Sequence, residues 1–280
     1  MVSVTVLRSY YAHLITGKAG MNDARLIAAF ATVERERFVG PGPWKVMAHA
    51  SGYLDTPSDD LAFLYQDVVV ALDPHRGINN GEPHLHARCL AALNVRDGEQ
   101  AIHIGSGTGY YTAILAHLVG AAGTIIAYEI DQELARRAGD NLKDWPHVSV
   151  RDQSATDGSL PACDILYVSA GATRPLDMWL DALRPRGRLL FPLTPSRGLG
   201  GMLLVTRTVG ADYDARFVSP AMFIPCEGGR DGAEADVLTE AFDRGHMENV
   251  RSLRRGSSPD GSCWLVGQGW WLSTRPATET

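Results

Sequence analysis

One stretch limits what this chain can fold into more than any other: "AIHIGSGTGYYTAIL", Ala101–Leu115. A short apolar run stops at Ile104. Gly105, Gly107 and Gly109 then alternate with Ser106 and Thr108, and an amphipathic segment follows. That is a strand, a tight turn and a helix in succession. The alternation continues downstream. "TIIAY" reads as a strand, and "QELARRAGDNL" as a helix with Leu134, Ala138 and Leu142 on one face. "VSV" and "DILYVSA" read as strands, and "RPLDMWLDAL" as a helix with Leu176, Trp179, Leu180 and Leu183 on one side. "GRLLFPL" and "GMLLVTR" are further strands. Such alternation builds right-handed βαβ units, so an α/β fold is expected, with a mainly parallel sheet and helices on both faces.

The first third reads as helical. In "NDARLIAAFATVERERFV", Leu26, Ile27, Phe30 and Val33 share a face, and Asn22 or Asp23 is placed to cap it. Pro41 and Pro43 break the pattern, a loop-rich stretch runs through "SGYLDTPSDD", and "PHLHARCLAAL" restores helical spacing. After about Gly210 the pattern loosens. Trp264, Trp270 and Trp271 nevertheless predict that the tail packs on something. Three segments are expected: a helical and loop cover (1–78), a core (79–227) and a C-terminal extension (228–280).

A net charge of −6 argues against a protein that reads nucleic-acid backbones. The cluster Arg251, Arg254 and Arg255 is expected to be a solvated loop. Cys89, Cys163, Cys226 and Cys263 show no CxxC spacing, which suggests reduced thiols and no metal site. The start of the chain lacks the apolar core of a signal peptide and no run approaches membrane-span length, so a cytoplasmic protein without membrane contact is expected.

In an open α/β sheet, ligands bind beyond the carboxyl ends of the strands. A dinucleotide site favours G-x-G-x-x-G, whereas this turn is G-x-G-x-G followed by Tyr110. Glu129 ends the next strand, where a carboxylate can accept from both ribose hydroxyls, and Asp131 is the alternative. The combination indicates an adenosine ligand, and the spacing favours S-adenosylmethionine over a nicotinamide cofactor.

At these residues the chain resembles the protein-L-isoaspartate (D-aspartate) O-methyltransferases, from about Leu26 to Gly228. "AFATVERERFVGP", "PHLHARCLAAL", "HIGSGTGYYTAILA", "DILYVSAGAT", "ALRPRGRLLFPL" and "RFVSPAMFIPCEG" carry the resemblance, in the family's order. It implies a Rossmann-like class I methyltransferase that uses S-adenosylmethionine to methylate a peptide or protein carboxyl. Cofactor contacts are then expected from Gly105, Ser106, Gly107, Thr108, Gly109 and Glu129, and the residues Asn79 to His86 form the substrate lip.

The departures bear on the chemistry. The family's acid before the glycines is His103 here, near the methionine amino group. The family's "GDG" at the adenine is Gln153-Ser154-Ala155, so Ser154, or Asp152 or Asp157, is the expected contact. The family's lip serine is Gly81. A carboxyl acceptor is already ionised at neutral pH and needs no general base, only orientation. Asn79 and Asn80 carry amide donors suited to holding it, and Gly81→Ser is expected to raise isoaspartyl turnover, provided Gly81 does not lie at positive φ. His86 reads equally as a ligand contact or a helix-surface histidine, and His84 as a bystander. The alternatives are a same-fold methyltransferase for a specialised peptide or small-acid carboxyl, and a non-catalytic binding protein. A dehydrogenase is disfavoured by the glycine spacing.

Overall fold

The computed structural model describes residues 2–48, 52–208 and 212–277. Ser51 of the loop-rich stretch, Gly210 and the last three residues of the expected extension lie outside the described residues. The chain divides into two compact units, Met1–Gly98 with Ser106–Gln153, and Glu99–Gly105 with Ser154–Thr280.

The first unit opens with helices α1 (Val4–Lys18), α2 (Ala24–Thr32) and α3 (Arg35–Val39). Asp23 caps α2, its carboxylate accepting from Arg25 N at 2.9 Å and Leu26 N at 3.3 Å. The stretch read as loop contains an antiparallel strand pair, β1 (Lys45–Ala48) and β2 (Gly52–Asp55), and a single helical turn, α4 (Leu61–Leu64), follows it. Then come β3 (Ala71–Asp73), β4 (Ile78–Asn79) and α5 (Pro83–Leu93). The chain leaves this unit for β5 (Gln100–Ile104) and returns for α6 (Tyr110–Val119), β6 (Thr124–Glu129), α7 (Gln132–Leu142) and β7 (Val148–Asp152). Leu134, Ala138 and Leu142 are all buried on α7, as their spacing predicts. β6 and β7 pair in parallel with Glu129 opposite Asp152, which places that carboxylate at the strand end. Phe30 packs edge to face against both Tyr11 and Tyr110 in the core, and Phe38 lies tilted against Tyr110 with centroids 5.6 Å apart.

In the second unit, β5 pairs in parallel with β8 (Cys163–Val168), and β8 with β9 (Leu183–Leu193). Four of the five residues of β5 are buried, as a parallel strand covered on both faces requires. The helix between β8 and β9 is only α8 (Asp177–Asp181). Leu183, expected on that helix, instead starts β9 opposite Cys163, where the sheet ladder supplies the partners that another helical turn would have offered. Beyond β9 the sheet is mixed. β10 (Gly200–Arg207), β11 (Tyr213–Ala221), β12 (Ser252–Arg255), β14 (Trp270–Ser273) and β13 (Cys263–Val266) follow antiparallel in that spatial order, and α9 (Gly232–Arg244) lies between β11 and β12 in sequence. Trp264, Trp270 and Trp271 are buried. Of the arginine cluster, Arg251 is exposed outside any strand as expected, but the other two are not in a solvated loop. Arg254 and Arg255 lie in β12, where Arg254 stacks 5.1 Å over the Trp271 ring and Arg255 bridges Asp177 at 2.7 Å and Asp181 at 2.9 Å.

Candidate functional site

The glycine turn and Glu129 meet in the first unit. Gly107 lies at φ 57, in the left-handed region, and its N–H donates to Glu129 Oε2 at 2.7 Å. Glu129 Oε1 accepts from Asp131 N at 3.1 Å. The carboxyl is 7% exposed, and burial pushes its pKa up against the pull of the Asp131, Gly107 and Ile130 N–H groups. Those bonds leave lone pairs on both oxygens. Asp131, the alternative acid, is otherwise engaged: it caps α7 by accepting from Leu134 N at 2.9 Å and pairs with Arg76 at 2.6 Å.

The rest of the turn is built around this contact. Ser106 N donates to Tyr128 O at 3.2 Å, while its buried Oγ has no hydrogen-bond partner among the described residues. Thr108 is buried and its carbonyl accepts from Asn141 Nδ2 at 3.0 Å. Gly109 N donates to Ser106 O at 2.9 Å, and α6 starts one residue later. An adenosine-bearing ligand fits this set: a side-chain-free approach at Gly107, a carboxylate with spare lone pairs, and an orphaned hydroxyl at Ser106.

The lip lies in the same unit. Asn79 is committed to a local turn, its Oδ1 accepting from Gly81 N at 2.9 Å and its Nδ2 donating to Gly77 O at 3.3 Å. Asn80 is different. Val70 N donates to its Oδ1 at 2.9 Å, and Asn80 N donates to Val70 O at 2.9 Å. The amide orientation is thereby set, and its Nδ2 is buried without a partner among the described residues. His86 is not a helix-surface histidine. It is 2% exposed and stacks on Tyr111 with centroids 3.5 Å apart.

Gly81 overturns one expectation. It sits at φ 74, and a Cβ there would collide with His86 Nε2. A serine hydroxyl cannot simply be restored. We expect Gly81→Ser to destabilise the protein by about 2 kcal/mol, from left-handed strain and the displaced imidazole, and to lower turnover. Urea unfolding of the variant checks this, and an unchanged midpoint with raised activity would contradict it.

Three further candidates belong to the second unit. His103 is buried, its Nε2 is 3.0 Å from Ser169 Oγ, and its ring stacks on Tyr167 at 5.1 Å. Burial pushes its pKa down to about 3, so the ring is neutral. Gly105 lies 3.4 Å, measured from a Cβ built on it, from the Ser169 backbone. Ser154 Oγ is 2.8 Å from Thr156 Oγ1 and accepts from Thr156 N at 3.2 Å, closing a turn.

Sequence reasoning passed over Asp67. Its carboxylate accepts from His84 N at 3.0 Å and from Lys18 Nζ at 2.7 Å, and lies 2.9 Å from His84 Nδ1. The available signal was a lone acid in the apolar run "LYQDVVV". Asp67, Glu82 and His84 are also spaced to hold a metal ion, but the Lys18 ammonium already occupies Asp67 Oδ2.

Solved structures share this architecture. A structure of a protein-L-isoaspartate O-methyltransferase superposes with a TM-score of 0.65 at 21% identity, over 84% of this chain and 69% of that one. A second, from Plasmodium falciparum and bound to S-adenosyl-L-homocysteine, gives 0.62 at 18% identity, over 79% and 98%. The chain is therefore an α/β, Rossmann-like protein of the class I methyltransferase fold. A model of the Protein-L-isoaspartate(D-aspartate) O-methyltransferase (PCMT) family matches residues 13–231. The protein-L-isoaspartate O-methyltransferase of Brucella anthropi is 27% identical over 212 residues, which is 75% of this chain and 89% of that protein. The protein-L-isoaspartate O-methyltransferase 2 of an Anaeromyxobacter species is 30% identical over 216 residues, 75% of this chain and 79% of that protein. The chain belongs to the protein-L-isoaspartate(D-aspartate) O-methyltransferase family, and it is a methyltransferase.

Proposed function

We propose that the protein methylates the carboxyl of altered aspartyl residues in polypeptides, with S-adenosylmethionine as cofactor. One observation carries the reading: the glycine turn closes on a buried Glu129 whose orientation is set by Gly107 N–H and Asp131 N–H. Glu129 accepts from the ribose hydroxyls, Ser106 Oγ meets a polar group of the ligand, and Gly105, Gly107, Thr108 and Gly109 shape the turn around it. When bound, the cofactor supplies an electrophilic methyl group on a positively charged sulfur. From the resemblance we carry over two roles, His103 toward the methionine amino group and Ser154 toward the adenine.

On the acceptor side, the fixed Nδ2 of Asn80 holds one carboxylate oxygen and leaves the other to react. Asn79 and Gly81 shape the turn that presents it, and stacked His86 walls it. The acceptor is already an anion at neutral pH, so these residues orient it and remove no proton. The same reading includes the division into cover, core and extension and a cytoplasmic setting that keeps Cys89, Cys163, Cys226 and Cys263 as the free thiols they are. No described helix is long and apolar enough to cross a membrane.

Transfer of labelled methyl to isoaspartyl peptides, compared with normal aspartyl peptides, tests the assignment. Label is expected on the isoaspartyl series, and label on neither, with tight cofactor binding, would overturn it. Asn80→Asp keeps the acceptor for Val70 N but replaces the donor by a repelling oxygen. Losing a bond to a charged group is worth about 1.5–3 kcal/mol, so kcat/KM should fall roughly 10- to 100-fold. The cofactor Kd should stay the same. A variant as active as the parent removes Asn80 from the acceptor site.

A further inference from the structure

We propose that Asp67 is a positioning residue for the methyl acceptor, gripping the Asn79–His86 lip from the segment between α4 and β3. The proposal rests on the lip being the acceptor site. α5 begins without a side-chain cap of its own, because Glu82 at its N-cap makes no such bond. The first N–H groups of a helix need partners from elsewhere. Asp67 provides one across seventeen residues, accepting from His84 N at 3.0 Å while its other oxygen contacts His84 Nδ1 at 2.9 Å. Its side chain is 4% exposed, and Lys18 Nζ closes the outer side at 2.7 Å.

The grip has a second point of contact. Three residues beyond Asp67, Val70 exchanges hydrogen bonds with Asn80 in both directions, through Val70 N to Asn80 Oδ1 and Asn80 N to Val70 O. A single short segment thus holds the lip on both sides of Gly81, at Asn80 and at His84. That segment is itself anchored from beneath. The fully buried Arg35 guanidinium donates to Leu64 O at 2.7 Å, Gln66 O at 2.9 Å and Val68 O at 2.5 Å, so the carbonyls flanking Asp67 are fixed. Asp67's bonds go to Lys18 and His84, and neither residue belongs to the glycine turn or to Glu129. Disturbing Asp67 therefore loosens the groups that orient the acceptor while leaving the cofactor's contacts in place.

Asp67→Asn is the test, because an amide keeps an acceptor for His84 N but cannot accept from Lys18 and His84 Nδ1 with its nitrogen. KM for isoaspartyl peptide should rise about tenfold, with kcat within about threefold of the parent. The Kd for S-adenosylhomocysteine should stay within about twofold. Amide hydrogen exchange across residues 79–86 should quicken by about tenfold, a readout independent of turnover. Unchanged KM and unchanged exchange in the folded variant would overturn the proposal. So would a Kd that weakens in step with KM, which marks a general structural role. If Asp67→Asn does not fold, Lys18→Met removes only the outer bond and should raise KM and exchange about threefold, and no change in either overturns the proposal. A parent protein that transfers no methyl to isoaspartyl peptides defeats the proposed function instead, and exchange at 79–86 still decides whether Asp67 grips the lip.

Discussion

Glu129→Ala is expected to lower affinity for S-adenosylmethionine by about a hundredfold or more, with the protein still folded. Two charge-assisted bonds to ribose hydroxyls are each worth roughly 1.5–3 kcal/mol, so losing both spans two to four orders of magnitude in Kd. The substitution also frees Gly107 N–H, which Glu129 Oε2 accepts at 2.7 Å, and so loosens the turn that the cofactor must meet. Glu129→Gln separates the two effects. Its amide oxygen can still accept from Gly107 N, but the charge is gone, so an intermediate affinity is expected. Calorimetry with cofactor and product measures all three proteins. Equal dissociation constants for Glu129→Ala and the parent would remove Glu129 from the ribose site.

His103 is expected to make the protein acid-sensitive. Burial holds its folded-state pKa at about 3, against the ordinary 6.5 of an exposed histidine in an unfolded chain. Between those values the unfolded chain takes up a proton that the folded protein does not, so the contribution to stability is lost as pH falls below 6.5 and is intact above it. One proton over that interval corresponds to a loss on the order of 5 kcal/mol. His103→Gln retains a polar group for Ser169 Oγ but cannot titrate. Its melting temperature should fall less steeply than the parent's between pH 6 and 4. Parallel curves would show that His103 does not carry the acid limb. Because the ring is neutral throughout the physiological range, any pH dependence of cofactor binding between pH 6 and 8 has another origin.

The elements around the glycine turn were legible in the chain itself. α5 and α7 begin and end at the residues their periodicity marks, and Asp23 caps α2 as its position suggested. Glu129 was identifiable because a strand-end acid after a glycine turn has one geometric consequence, proximity to that turn. The alternative Asp131 could not be set aside from sequence, since only the fold brings Arg76 to it. In the Asn79–His86 lip less was visible. Asn79 and Asn80 are the same residue type side by side, yet one closes a local turn and the other presents a buried donor, because Val70 meets only the second.

The amino-acid sequence by itself determined the α/β class, the glycine turn and its acid, since these follow from local periodicity, residue size and chain order. The tertiary structure decided the sign of φ at Gly81, the burial that lowers the pKa of His103 and the contacts of Asp67. It also decided that Leu183 extends a sheet and that the Arg254–Arg255 pair joins a strand. Most of these depend on surroundings that chain order does not give: an apolar enclosure around an imidazole, a strand partner at Cys163 for Leu183, and a helix start that a carboxylate seventeen residues away can reach. Hydrogen-bond satisfaction and desolvation are properties of surroundings, and the surroundings exist only once the chain has folded.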